Sequence, residues 1–143
     1  MRKTKKTLTV ERVIHNKMYR LHEEISEIAT RATMEAELEN MLLGIDNFLQ
    51  TQQLVIAKKA REGQEYFILG NNEEFVTELD DHVVTVSNIL GNRYVEGVKS
   101  HAIRIQHQLS QLSKILDEWM DCQRNWLYLE PIFGSPEIKN CLP

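Results

Sequence analysis

The chain of 143 residues has only two cysteines, Cys122 and Cys141, and they lie far apart in the sequence. Neither belongs to a CxxC pair, which argues against a zinc site or a disulfide framework and favours a reducing compartment. No apolar run approaches the roughly 20 residues needed to cross a bilayer, and the start has no apolar signal-peptide core. The sequence therefore predicts a soluble intracellular protein.

Motifs that bind nucleotides or metals are also missing. The six glycines are scattered and form neither a GxxxxGKS/T nor a GxGxxG loop, so no phosphate cradle is predicted. The segment His22-Glu23-Glu24 begins like HExxH, but Ser26 stands where the second histidine would be needed. Asp80, Asp81 and His82 are consecutive on a predicted helix, where successive side chains do not converge; we predict ion pairing to a neighbouring helix for them. We predict no catalytic residue, metal site or cofactor site in this chain.

Charge and composition favour a packed protein without a general attraction to nucleic acid. The net charge is −4, and 42% of the residues are hydrophobic, enough to bury a core. A basic cluster occurs only at the start, in MRKTKKTL, and we predict that residues 1–8 form a flexible, solvated terminus.

Apolar residues recur at steps of three and four along most of the chain, which is the spacing of one face of a helix. The first such stripe predicts one long helix from about Thr9, its N-cap, to about Leu49, with room for a bend near its middle. The second predicts a helix over about 72–90. Asn71 lies three residues before Glu74, as in a capping box, and Gly91-Asn92 follows the last apolar position.

The last stripe is the most regular and predicts a helix over about 93–130. Its positions are Val95, Val98, Ala102, Ile105, Leu109, Leu112, Leu116, Trp119, Gln123 and Trp126, of which only Gln123 is polar. Pro131 should stop this helix near Glu130, since proline cannot donate a backbone hydrogen bond and clashes inside a helix. Residues 131–143 then form a turn-rich exit. A stripe this long must face another helix, in this chain or beyond it. The predicted packing or interface anchors are Leu112, Leu116, Trp119, Trp126, Tyr128 and Phe133.

The segment between the first two helices is ambiguous. Its apolar run Leu54–Ala57 could extend the first helix, whereas Tyr66–Leu69 favours a strand and is bounded by Gly63 and Gly70. We predict a hairpin over about 53–69 that turns near Glu62 and Gly63. The expected fold is therefore mainly α, an antiparallel bundle of long helices with a small β-hairpin.

The end of the chain resembles a known family. The segment LDEWMDCQRNWLYLEPIFGSPEIKNCLP, residues 116–143, closely resembles a stretch of dynein heavy chains that reads approximately LDEWxxxQxxWLYLEPIFxSxDIxxQLP. Two earlier blocks, in 22–40 and 79–84, resemble HEEISEISxxAxKExxLEK and LDDHxV in the same order. Ile105 departs from this likeness, since the family often has Trp there, and so does Gly97-Val98, where it often has Pro-Phe. Residues that carry the resemblance include His22, Glu23, Glu24, Asp80, Asp81, His82, Asp117, Glu118, Gln123, Glu130 and Pro131.

This resemblance implies a segment of the dynein linker, the helical rod that precedes the AAA+ ring and moves as ATP is turned over. It implies a mechanical role with no chemistry in this chain, because ATP and Mg would be held by the ring of the parent motor. The implied partners are the ring and the remaining linker, with intermediate chains, light chains and microtubules reached only through the parent complex. The YLEPIF form with Pro131 resembles axonemal heavy chains, so we expect a cytoskeletal location in cilia or flagella.

Breaks in the helices are where a rod of this kind would bend. Gly91, Asn92 and Pro131 are our hinge candidates. The alternative hypothesis is an autonomous helical-bundle or coiled-coil adaptor that binds partner helices, because the same stripe fits a coiled-coil seam.

Overall fold

A computed structural model of the chain describes residues 8–61 and 63–135. The elements are α1 (Val10–His15), α2 (His22–Thr51), β1 (Ile56–Arg61), β2 (Gln64–Leu69), α3 (Glu73–Leu90) and α4 (Lys99–Phe133), with 3₁₀ turns at Met18–Leu21 and Val95–Gly97. The predicted mainly α fold with one small hairpin is confirmed. Residues 1–7 of the predicted basic terminus and residues 136–143 of the predicted exit, with Cys141, lie outside the described residues.

The single helix predicted from Thr9 to Leu49 is wrong, because the helix breaks after His15. Thr9 caps α1 as predicted, and its hydroxyl accepts a hydrogen bond from the Arg12 N–H over 3.3 Å. Lys17 then adopts a left-handed backbone with φ of 53°, which a continuous right-handed helix cannot contain. The helix resumes as α2, and only the second half of α2 reaches the core.

The hairpin pairs β1 with β2 in antiparallel register, from Ile56 opposite Leu69 to Arg61 opposite Gln64. Gly63 lies between the strands with φ of 83°, a conformation that glycine adopts without steric cost. The predicted turn is therefore found at Gly63, while Glu62 lies outside the described residues.

The helix α3 begins one residue later than predicted, after Asn72. The Asn71 side chain does accept a hydrogen bond from the Glu73 N–H, over 3.0 Å. The Asn72 side chain makes no capping bond and is used elsewhere, as described below. Gly91 ends the helix, as the sequence predicts.

The helix α4 differs from its predicted bounds at both ends. A 3₁₀ turn precedes it, so it begins at Lys99. The predicted stop near Glu130 is wrong, because α4 contains Pro131 and ends at Phe133. Proline removes one helical hydrogen bond, but only three residues of the helix remain at that point, and Gly134 N–H still bonds to the Glu130 carbonyl over 2.9 Å.

One hydrophobic core joins the three long helices. The chain reverses after α3, so α3 and α4 pack side by side in antiparallel directions, and α2 lies against both. The buried residues are Leu38, Leu42, Ile45, Phe48, Leu69, Leu79, Val86, Ile89, Val98, Ala102, Ile105, Leu109 and Leu116.

Candidate packing interface

The buried face of α4 forms the centre of a packed seam between helices. Ala102, Ile105 and Leu109 are completely buried, and Leu116 continues the same face about two turns farther on. Close packing of this kind resists deformation, because protein interiors are packed about as densely as organic crystals. Truncating one such leucine to alanine costs about 2–5 kcal/mol. The seam therefore joins α2, α3 and α4 into one stiff unit.

Only part of the predicted set of anchors lies in that seam. Leu116 is 3% exposed and Leu112 is half-buried, but Trp119 is 48% exposed and Trp126 is 57% exposed. Tyr128 and Phe133 are exposed as well. Among the described residues neither indole belongs to the buried core, so of the two predicted alternatives, a partner helix in this chain or beyond it, the first is not found there. If these four aromatic side chains are anchors, they anchor something beyond the residues that the structure describes.

The period of the stripe explains this outcome. A strict seven-residue repeat drifts by about 20° per heptad on a straight α-helix, because the helix has 3.6 and not 3.5 residues per turn. From Val98 to Trp126 the drift reaches about 80°, which carries the stripe from the buried face of α4 to its edge. Trp119 and Trp126 also lie on the side of the stripe toward which the drift carries it, so they leave the buried face before Leu116 and Gln123 do.

A second apolar row occupies that exposed side of the distal half of α4. Its members are separated by steps of four, three, four, three and four residues, and all are exposed. We call this row the outer stripe, and it consists of Ile115, Trp119, Cys122, Trp126, Leu129 and Phe133.

The polar residue of the predicted stripe holds the hairpin. Gln123 accepts a hydrogen bond at Oε1 from the Leu69 N–H over 2.7 Å, and its Nε2 donates to the Leu69 carbonyl over 2.9 Å. The Gln123 amide thus pairs with the backbone N–H and carbonyl on the edge of β2 that faces away from β1, at Leu69, which is buried. The sequence carried a signal for this contact, since Gln123 is the one polar member of an apolar stripe, but it did not indicate the partner.

A second amide holds the base of the hairpin on its other side. Asn72 accepts from the Val55 N–H over 2.7 Å and donates from Nδ2 to the carbonyls of Val55 and Gly70, over 3.2 and 3.1 Å. Sequence reasoning missed this residue, because the adjacent Asn71 fits a capping pattern and Asn72 does not.

A charged cluster ties α2 to α4. The Asp46 carboxylate lies 2.7 Å from Nε2 of His101 and 2.9 Å from a guanidinium nitrogen of Arg104. Burial raises the pKa of Asp46, but the hydrogen bonds and positive charges of His101 and Arg104 outweigh it, and the net pKa is lowered. Asp46 lies 55 positions from His101 and 58 from Arg104, and none of the three belongs to a motif, so sequence reasoning did not find the cluster.

The side chains of Asp80, Asp81 and His82 point in different directions because they are consecutive on α3, as their spacing predicts. His82 packs edge-on against Phe48, with ring centroids 4.5 Å apart, and its buried Nε2 has no hydrogen-bond partner among the described residues. Phe48 also stacks on Phe75, so this is an aromatic contact between α2 and α3. Asp80 and Asp81 are exposed, and the ion pairs predicted for them are not found in the described part of the chain.

The remaining family-signature residues do not converge on a site. His22, Glu23 and Glu24 lie exposed at the start of α2, and Asp117 and Glu118 lie exposed on α4. Across residues 8–61 and 63–135, histidine, cysteine and carboxylate side chains form no cluster that could hold a metal ion. Nor does any helix in those ranges have the length and apolar character needed to cross a membrane.

The hinge candidates lie in two different settings. Gly91 and Asn92 form the tight turn between α3 and α4, where the Asn92 side chain accepts from the Tyr94 N–H over 2.9 Å. Pro131 lies within the last turn of α4, next to the half-buried Glu130. The first setting is bounded by packed helices, and the second lies beyond the seam.

Comparison with known proteins gives one family over the whole chain. The sequence profile described as "Dynein heavy chain, N-terminal region 2" matches residues 1–143. "Dynein axonemal heavy chain 6" of Homo sapiens is 36% identical over 136 residues, which is 95% of this chain. "Dynein axonemal heavy chain 1" of Homo sapiens is 32% identical over 140 residues, or 97% of the chain.

A more distant relative gives the same family. "Dynein-1-alpha heavy chain, flagellar inner arm I1 complex" of Chlamydomonas reinhardtii is 24% identical over 140 residues, which is 96% of this chain. In each of these three relatives the match spans only 3% of the relative's length.

Proposed function

Because the chain belongs to the family of the dynein heavy chain N-terminal region 2, we propose that it is a segment of the linker of an axonemal dynein heavy chain. In this proposal it couples ATP turnover in the AAA+ ring to movement along microtubules in cilia or flagella. Its direct partners are the ring and the neighbouring linker. Intermediate chains, light chains and microtubules are reached only through the motor.

The observation that carries this proposal is the packed seam. The helix α4 has 35 residues and is about 52 Å long, at 1.5 Å per residue. Its buried face from Ala102 to Leu116 packs in one core with α2 and α3, and Asp46 adds a charged contact with His101 and Arg104. A rod built this way can transmit force along its axis, because bending it would open a close-packed interior.

The setting of the hinge candidates supports Pro131 above the other two. Bending at Gly91 or Asn92 would separate α3 from α4 along their buried faces. Pro131 lies beyond the buried seam, where one helical hydrogen bond is already missing. We place the softer point of the proposed lever at Pro131.

The chain contributes no chemistry in this proposal. ATP and Mg²⁺ would be bound by the ring, and the described residues contribute stiffness, connection and surface. Reading the parent transcript on both sides of this segment is the first test, and it should encode a P-loop farther along.

The mechanical role is tested in the full heavy chain with a matched pair of substitutions. Leu109→Ala removes a completely buried side chain from the seam, whereas Ile103→Ala removes an exposed one from the same helix. We expect Leu109→Ala to lower microtubule gliding velocity while ATP turnover continues, and Ile103→Ala to change neither. The assay is run at a temperature where thermal unfolding shows the isolated Leu109→Ala chain to be destabilised. Gliding of the Leu109→Ala motor at the wild-type velocity under those conditions would contradict the role.

The outer stripe favours a second candidate function, a free-standing adaptor that binds partner helices, because its heptad spacing is that of a coiled-coil seam. Sedimentation of the 143-residue chain separates the two. A linker segment should sediment as a monomer or associate without a fixed size, since its apolar surface is uncovered. An adaptor should give one defined oligomer.

A further inference from the structure

The outer stripe is a large apolar surface that nothing in the described part of the chain covers. Trp126 and Phe133 are each more than half exposed, and Trp119 nearly so. Aromatic side chains bury about 150–250 Å² each when covered, so these three rings alone leave on the order of 300 Å² uncovered. Ile115, Cys122 and Leu129 add to this area, and the largest apolar patch of a soluble protein is often a surface where another protein binds.

The spacing of the stripe specifies the shape of what binds there. Steps of four, three, four, three and four residues from Ile115 to Phe133 form a straight row on one side of α4. A row of this kind offers knobs and holes to a second helix lying nearly parallel to it, and Trp119 and Trp126 would be its central contacts. An extended strand would meet only some of these positions.

The stripe also continues an interface that already exists. His101 and Arg104 lie on the same side of α4 as Trp119 and Trp126, and they hold Asp46 of α2. Along this side of α4, the first part is therefore occupied by α2, whereas the apolar side chains from Ile115 to Phe133 are exposed within the part of the chain that the structure describes. A helix that follows the line of α2 would complete the covering of α4.

We infer that the outer stripe is the docking face for one further amphipathic helix, supplied by the same heavy chain outside residues 1–143. This inference rests on the proposal that the chain is a linker segment. The matched relatives are far longer than this chain, which spans 3% of them. A helix of the same polypeptide is present at an effective concentration of roughly millimolar, which favours it over a second copy or a separate protein.

Cys122 lies in the middle of the stripe and is exposed, so its thiol reports whether the stripe is covered. Alkylation of Cys122 by a maleimide is measured in the 143-residue chain carrying Cys141→Ser, and in the full heavy chain by mass spectrometry of the peptide that contains Cys122. We expect the heavy chain to react at least about tenfold more slowly, because a covered thiol reacts only during local opening.

Matched substitutions in the heavy chain tie the protection to the stripe. Trp126→Ser removes a central contact and should restore fast alkylation, whereas Ile103→Ser changes an exposed residue on another side of α4 and should not. ATP turnover checks that each motor is folded.

Equal alkylation rates in the chain and in the heavy chain would overturn the docking face while leaving the linker proposal in place. Protection that appears in the isolated chain and rises with its concentration would overturn it in favour of a second copy. A parent transcript without a P-loop would overturn the linker proposal and this inference together.

Discussion

Gln123 of α4 binds both backbone groups of Leu69 in strand β2, accepting from its N–H over 2.7 Å and donating to its carbonyl over 2.9 Å. The two residues are 54 positions apart in sequence. A side-chain amide here takes the place of a neighbouring strand, because it presents the same donor and acceptor as a backbone peptide group. The hairpin is therefore fixed to the longest helix of the chain.

Replacing Gln123 by alanine should destabilise the chain. It leaves the N–H and carbonyl of a buried residue without partners, and each unsatisfied buried group costs about 1–3 kcal/mol unless water reaches it. We expect Gln123→Ala to lower the free energy of unfolding by about 2 kcal/mol in urea titrations and to speed hydrogen exchange at the Leu69 amide.

Gln111 provides the matched control for this change, because it is an exposed glutamine of the same helix. Gln111→Ala should shift stability by no more than about 0.5 kcal/mol. If the two variants unfold at the same urea concentration, the hairpin is not held by Gln123.

Asp46 should make the free energy of unfolding depend on pH in the acid range. Its pKa is lowered in the folded chain by His101 and Arg104 despite burial, so the unfolded chain takes up this proton at a higher pH than the folded chain does. The stabilisation is complete above the unfolded pKa of about 3.9 and is lost as pH falls through the folded value. The advantage of the wild type over Asp46→Asn should therefore shrink as pH is lowered below about 4.

Chemical unfolding of both proteins between about pH 5 and about pH 2 measures this difference. Asp117→Asn, at an exposed position of α4, serves as the control and should follow the wild type throughout. A gap between Asp46→Asn and wild type that stays constant over this range would contradict the assignment.

Trp126 and Leu116 should differ strongly in the isolated chain although both belong to the predicted stripe. Leu116→Ala empties a buried site and should cost about 2–5 kcal/mol. Trp126→Ala removes a side chain that is mostly outside the core, and we expect a loss of about 1 kcal/mol or less. Thermal unfolding of the two variants decides this, and a larger loss for Trp126→Ala would show that the indole is packed within the chain.

Two glycines should respond in opposite directions to alanine. Gly91 has a right-handed helical backbone, and an added Cβ would lie at ordinary contact distances of 3.6 Å, so Gly91→Ala should stabilise the chain by about 0.4–1 kcal/mol. Gly63 has φ of 83°, so Gly63→Ala should destabilise it by about 1–2 kcal/mol. Unfolding midpoints that move the same way for both variants would contradict the backbone conformations described here.

The parts of the fold that sequence predicted are those governed by short-range periodicity. The buried face of α4 from Ala102 to Leu116 follows from the spacing of apolar residues, and the ends of α3 follow from that spacing and from Gly91. The strands follow from β-favouring residues near Gly63. The break at Lys17 could not be predicted, because lysine carries no preference for a left-handed backbone.

The parts that sequence missed depend on long-range contacts or on small geometric differences. Nothing near Asp46 in sequence indicates His101 or Arg104, and nothing near Asn72 indicates the backbone of Val55. The exposure of Trp126 follows from the difference between 3.5 and 3.6 residues per turn, which only accumulates over several heptads. The helix α4 continues past Pro131 because it ends at Phe133, so the proline disrupts few helical hydrogen bonds.

The side-chain amides of Asn72 and Gln123 hold the hairpin to two different helices with unequal numbers of hydrogen bonds. Asn72 contributes three hydrogen bonds on the side of α3, and the chain runs directly from β2 into α3 through Gly70 and Asn71. On the side of α4, within the described residues, Gln123 contributes two hydrogen bonds to the β2 backbone, beside the packing of Leu69 in the core. If the chain carries tension as proposed, we expect the two bonds of Gln123 to break before the three of Asn72, so that the hairpin stays with α3 and can later re-form its contact with α4.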